Sequence, residues 1–129
     1  FAFLKFNNSF KEIIFSEGEQ HPFLYIVLVG KICLESIVPG HGKVPILCAE
    51  PLDVIGWSSL TPVVRQKTCT ARVLTPSKLL TIKANALMTC CESNPELGFI
   101  IMRRLANIVA SRLLNHRLHL LEIISCQNK

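Results

Sequence analysis

"IIFSEGEQHPFLYIVLVGKICLE", residues 13–35, packs three apolar runs into 23 positions and breaks them twice. Leu24 to Val29 and Lys31 to Ile37 are rich in the β-branched, aromatic and aliphatic side chains that suit a pleated surface. Glu17-Gly18-Glu19 and Gly30 supply the backbone angles that a reversal needs. Working outward, further strands are expected at Glu12 to Phe15, Val44 to Cys48, Ala71 to Leu74 and Leu79 to Ile82. Pro39-Gly40-His41-Gly42 and Thr75-Pro76-Ser77 mark the turns between them. Many short strands with frequent turns predict a mainly β barrel or jelly roll over about residues 11–83. The longest bulky apolar run, Phe23 to Val29, is far short of the roughly 20 residues of a membrane span, so no membrane partner is expected.

After Lys83 the period changes. Residues 84–92 predict a short helix, and Ser93-Asn94-Pro95-Glu96 is a start signal for a long one over about 95–124. Asn94 can cap, Pro95 suits the first turn, and Glu96 favours the positive end of the dipole. With 129 residues, this makes one domain. On the long helix, Leu97, Ile101, Leu105, Ile108 and Val109 form a stripe expected to cover the roll. Beyond it, Leu113, Leu120 and Ile124 are read on one side, with Leu114, Leu118 and Leu121 nearly opposite. One small domain cannot bury both, so the expected partner is a second copy. Leu114, Leu118 and Leu121 are then the dimer interface. The alternative is a helix left exposed by truncation of a longer chain.

Half of the residues are apolar and 18% are charged, which is enough to build a core and excludes a disordered chain. Six cysteines with no C-x-x-C pair are read as mostly free thiols of a reducing, cytoplasmic compartment. No metal site is expected from them, nor from His116 and His119. The net charge of +5 is too small to predict nucleic-acid binding by itself. Its distribution says more. No carboxylate occurs between Asp53 and Glu92, while Arg65, Lys67, Arg72, Lys78 and Lys83 all do. Such a stretch is either a solvated sheet face or an anion site.

The candidate for that site is "DVIGWSSLTPVVRQKT", residues 53–68. It turns at Gly56, holds the single Trp, and ends on basic side chains. Together with residues 13–35, "TARVLTPSKLLTI" and "NPELGFIIMRRLANIVASRLL", it resembles the cyclic-nucleotide-binding effector domain of the catabolite-activator and fumarate-nitrate-reduction regulator superfamily. The match runs in order from about Phe10 to Leu121. The resemblance implies an antiparallel β-roll followed by helices, with a ligand pocket inside the roll and a long dimerisation helix. In cyclic-nucleotide binders of this family a Gly-Glu pair holds the ribose. An Arg ten residues beyond that Glu, followed by a Ser or Thr, holds the cyclic phosphate. Here Gly56 is followed by Trp57, and the Arg and hydroxyl positions are Lys67 and Thr68. An indole has one donor and no acceptor, and a lysine lacks the two-pronged fork of arginine, so cyclic AMP is not the expected ligand.

What remains is a set suited to an anionic, partly planar small molecule. Gly56 allows close backbone approach, Ser58 and Ser59 donate, Trp57 stacks, and Arg65 and Lys67 carry charge, on one side of a strand if that segment is extended. The resemblance adds His116 and Arg117, at positions where the family's long helix reaches the ligand. The predicted function is a small-molecule-sensing regulatory domain with no resident cofactor, and DNA is a partner only through a domain outside this chain. The alternatives are a degenerate, non-binding dimer scaffold, with Trp57 filling the pocket, and a metal-dependent barrel enzyme. The enzyme reading lacks a His-rich strand constellation, because His21 and His41 fall in turns. No catalytic residue is assigned.

Overall fold

The computed structural model describes residues 2–7, 12–61, 63–64 and 66–127, with residues 2–7 described by backbone pairing alone. Two four-stranded antiparallel sheets face each other. One has the order β1 (Ala2–Asn7), β8 (Ser77–Lys83), β3 (Phe23–Val29), β6 (Val54–Ile55). The other has the order β2 (Ile13–Phe15), β7 (Thr70–Val73), β4 (Ile32–Val38), β5 (Gly42–Ala49). A 3-10 turn, Trp57–Leu60, follows β6, and the helices α1 (Ala84–Ser93) and α2 (Pro95–Gln127) close the chain. The antiparallel roll followed by a short and a long helix is the fold expected from the sequence. The reading omitted β1 and the two-residue β6.

β3 explains the unbroken run in the opening stretch, because it is covered on both faces. Tyr25 and Val27 point between the sheets, where they join Phe15, Ile32, Leu34, Ile55, Ala71, Val73 and Leu79. Leu24 and Ile26 point the other way, into a second cluster with Leu60, Ile82, Leu87, Met88 and Leu105 under the helices. Each fully buried aliphatic side chain of this kind contributes about 1.5–3 kcal/mol relative to exposure.

Asn94 performs the capping the sequence proposes: its Oδ1 accepts from Leu97 N at 3.3 Å. Gly98, the only glycine of α2, is there for contact. A Cβ at this position would stand 2.8 Å from the Cys91 carbonyl, so α1 and α2 touch backbone to backbone. Ile101, Leu105, Ile108 and Val109 are partly buried as expected, whereas Leu97, at the start of the stripe, is exposed.

Past Val109 the inward stripe continues as Arg112, His116, His119 and Ile123, so the helix turns a largely polar face to the roll there. Leu113, Leu114, Leu118, Leu120, Leu121 and Ile124 are all exposed, by 44% to 69%. Helical geometry sets Leu113, Leu120 and Ile124 about 100° from Leu114, Leu118 and Leu121 rather than opposite them. Both sets lie on the arc that faces away from the roll. The far end of α2 reaches the β4–β5 turn, where Gln127 Nε2 and His41 Nε2 are 2.6 Å apart. Among the described residues no helix is long and apolar enough to cross a membrane.

A candidate anion site between the roll and the long helix

Gly56 opens the site. Its φ of +75° is a left-handed conformation that glycine adopts without strain, and it turns the chain from β6 into the Trp57–Leu60 turn. A Cβ here would lie 3.2 Å from Phe23 O and 3.3 Å from Lys67 Nζ, so the position is also crowded. The turn holds itself together: Ser59 Oγ donates to Gly56 O at 3.0 Å and Thr61 Oγ1 to Ser58 O at 2.9 Å.

Lys67 arrives from the other end of the segment. Its backbone is fixed against the β2–β3 turn, with Lys67 N donating to Glu19 O and Gly18 N donating to Lys67 O, both at 2.8 Å. Its side chain is only 1% exposed. The ammonium donates to Gly56 O at 2.9 Å and Phe23 O at 3.1 Å, and sits 5.2 Å from the centre of the Phe15 ring. Burial pulls its pKa down from 10.5 to about 8, against the opposing pull of Glu19 and then Cys69. Phe15 in turn stacks on Tyr25, whose hydroxyl meets His21 Nε2 at 2.5 Å.

These residues enclose a cavity of about 10 Å³ lined by Phe15, Gly56, Trp57, Ser58, Lys67 and Arg112, among others. That is room for about one water molecule. The interior is thus filled by Lys67, Phe15 and Leu34, and Trp57 stands at its rim, partly exposed. Ser58 is 2% exposed, and its Oγ has no hydrogen-bond partner among the described residues.

Outside the rim lies a second, open cavity of about 190 Å³ between the Gly56–Thr68 segment and α2, lined by Trp57, Thr68, Val109, Arg112, Leu113 and His116. Arg112 borders both spaces. One guanidinium nitrogen donates to Val54 O at 3.1 Å, and burial lowers the pKa of the group while Cys69 and Asp53 oppose that shift. Burial, and then Arg112, also lowers that of His116. Neither Lys67 nor Arg112 is in an ion pair among the described residues, whose salt bridges are His21–Glu19, Lys31–Glu50 and Arg72–Glu35.

The fold therefore brings together Gly56, Trp57, Ser58, Lys67 and Thr68, and sets His116 across the groove from Trp57 and Thr68. Ser59 is turned away, into a groove of about 470 Å³ with Gln20, His21, Asn85 and Met88. Arg117 is exposed and lines none of these spaces. Arg65 lies outside the described residues. Arg112 was not among the residues expected here. Its signal was present, because it sits one turn beyond Ile108 on the stripe that covers the roll.

All six cysteines are free thiols, and no group of three or more His, Cys, Asp or Glu among the described residues could hold a metal.

The family model of the cyclic nucleotide-binding domain matches residues 10–94. No curated protein is matched. Among solved structures, the chain is similar to a cyclic nucleotide-binding domain from Methylobacillus flagellatus (17% identity, TM-score 0.83, covering 94% of this chain and 67% of that one). It is also similar to a protein from Geobacter metallireducens described as cyclic nucleotide-binding (25% identity, TM-score 0.72, 87% and 79%). The catabolite activator protein of Thermus thermophilus follows at 21% identity and TM-score 0.76. There the match covers 96% of this chain and 55% of the activator. The match over residues 10–94, on a roll built as that family builds it, shows that this chain belongs to the cyclic nucleotide-binding domain family.

Proposed function

We propose that the domain is a regulatory sensor for a small anionic molecule held between the Gly56–Thr68 segment and α2, and that it signals through α2 to a second copy of the chain. The observation that carries this reading is the placement of Arg112 on the open groove, drawn out of water and not paired with a carboxylate among the described residues. Buried cations without a counter-ion are costly, and a bound anion relieves the cost. The unpartnered Ser58 hydroxyl lines the inner cavity that Arg112 also borders.

A planar anion can lie against Trp57, whereas a ribose diol finds no carboxylate at that position, so cyclic AMP held in the usual way is not the ligand proposed. The groove of about 190 Å³ favours a ligand smaller than the 300–1,000 Å³ typical of drug-sized sites.

Such a ligand would touch Trp57 and Thr68 on the roll and Arg112 and His116 on the helix. It would shift α2 only as far as it binds one position of the helix more tightly than another. The exposed leucines supply the second half of the proposal. Leu114, Leu118 and Leu121, flanked by Leu113, Leu120 and Ile124, form an apolar surface that a second copy would cover.

The test is a thermal-shift panel of cyclic mononucleotides, cyclic dinucleotides, organic phosphates and carboxylates on wild type and Arg112→Ala. Light scattering reads the mass in parallel. At 100 times its dissociation constant, a ligand stabilises by about 2.7 kcal/mol, a shift of several degrees. We expect at least one anion to give that shift and Arg112→Ala to abolish it. The filled interior and the satisfied Lys67 ammonium favour a second reading, a scaffold that binds nothing. A flat panel with an unaltered dimer mass would establish it.

A further inference from the structure

Two thiols face each other on the outer surface of the β4–β5 pair, and neither lines the groove. Cys33 and Cys48 are directly opposite in the ladder. The backbone pattern fixes what kind of pair they are. Leu74 N donates to Lys31 O at 3.0 Å, one step before the pairs Ile32–Val73 and Cys33–Arg72. Backbone groups alternate sides along a strand, so Lys31 and Cys33 turn theirs to β7, while Ile32 and Leu34 turn theirs to β5. Cys33 and Cys48 therefore occupy a non-hydrogen-bonded position, where Cα atoms stand about 4.5 Å apart and side chains come closest. Disulfides accept Cα separations of about 4.4–6.8 Å. Side-chain direction agrees: Ile32 and Leu34 are buried at 0% and 2%, Cys33 between them is half-buried on the opposite face, and Cys48 is exposed.

We propose that Cys33 and Cys48 form a reversible two-electron thiol–disulfide site, oxidised by a peroxide and reset by a thiol reductant. Cys48, the more accessible sulfur, attacks a peroxide oxygen as thiolate; the O–O bond breaks and Cys48 becomes a sulfenic acid as water leaves. Cys33 then attacks the Cys48 sulfur, the S–O bond breaks, and a second water leaves. Two thiols and one hydrogen peroxide become one disulfide and two waters. Burial, and then the neighbouring Glu35, raise the Cys33 thiol, which leaves the first attack to Cys48, and Cys33 follows on a partner sulfur already held against it. Leu34, next to Cys33, lines the inner cavity, so the bond would fix a strand that forms the wall of the candidate site.

The test is to treat the reduced, folded protein with hydrogen peroxide and map its peptides. We expect a Cys33–Cys48 link with loss of two hydrogens, a thermal midpoint raised by several degrees, and full reversal by dithiothreitol. Cys48→Ser should show neither link nor rise, and Cys33→Ser should leave a Cys48 sulfenic acid that dimedone traps. A link between Cys48 and Cys126, a bond between two molecules through Cys48, or equal midpoint changes in wild type and Cys48→Ser would overturn the proposal. None of these readouts depends on a ligand, so the outcome is independent of the sensor reading.

Discussion

Lys67 and Arg112 border the same small cavity, one from the roll and one from α2. Lys67 is tied by its backbone to the Glu17–Glu19 turn and by its ammonium to two carbonyls, with an aromatic ring alongside. Arg112 has five N–H donors and spends one on Val54 O, the single hydrogen bond of its side chain among the described residues. It also borders the open groove. The difference separates a cation built into the fold from one with donors to spare. The position that the family resemblance marks for phosphate is part of the scaffold, while the neighbouring helix presents a guanidinium to the open groove.

Removing Lys67 should therefore cost most. Lys67→Ala leaves a hole and orphans two carbonyls, and we expect a loss of about 2–5 kcal/mol in chemical denaturation. Lys67→Met keeps the volume and should lose about 1–3 kcal/mol. If Arg112→Ala proves more damaging to stability than Lys67→Ala, the contrast is wrong.

The pH dependence tests the same point without changing shape. The folded protein holds the Lys67 proton more weakly than the unfolded chain, at about 8 against 10.5. Below pH 8 both states are charged and this contribution is flat. Between about pH 8 and 10.5 the folded state sheds the proton first, so stability rises, by on the order of 3 kcal/mol. Cys69, raised from 9.0 to about 11, and Tyr25, raised from 10.0 to about 12, act in the opposite direction between those values and overlap the Lys67 window. The Lys67 contribution is thus read as wild type minus Lys67→Met, and its absence would show an ammonium open to water.

A methyl group at Gly56 should come next. Gly56→Ala meets both a left-handed backbone and the Lys67 ammonium, and we expect about 1–3 kcal/mol of destabilisation, read in the same denaturation series. The smallest effect belongs to Arg112→Ala. The loss of one hydrogen bond, offset by relief of its burial, should change stability by about 1 kcal/mol or less. Its signature is the lost thermal shift with the anion.

The roll was legible because its strands repeat a simple rule, with apolar runs closed by Gly or Pro turns, and β3 reads as a run because both its faces are covered. Val54–Ile55 was not, since two residues carry no period. The same limit hid the fate of Lys67. Its partners are the carbonyls of Gly56 and Phe23, eleven and forty-four positions away, and backbone oxygens leave no mark in a sequence. Arg112 was readable in principle, because the periodicity that places Leu105 and Ile108 on the roll also places Arg112 and His116 there. Past Val109 the stripe is carried by polar side chains, so apolar periodicity no longer marks it.

The contact at Gly98 carries a mechanical consequence. From Gly98 to Gln127 α2 extends about 44 Å at 1.5 Å per residue, and it is pinned at one end where its backbone touches Cys91. Arg112 lies just under halfway along this lever. A tilt of about 5° about the pinned end moves Arg112 by about 2 Å and the tip beside His41 by about 4 Å, so the arm doubles at its tip any displacement set at the groove.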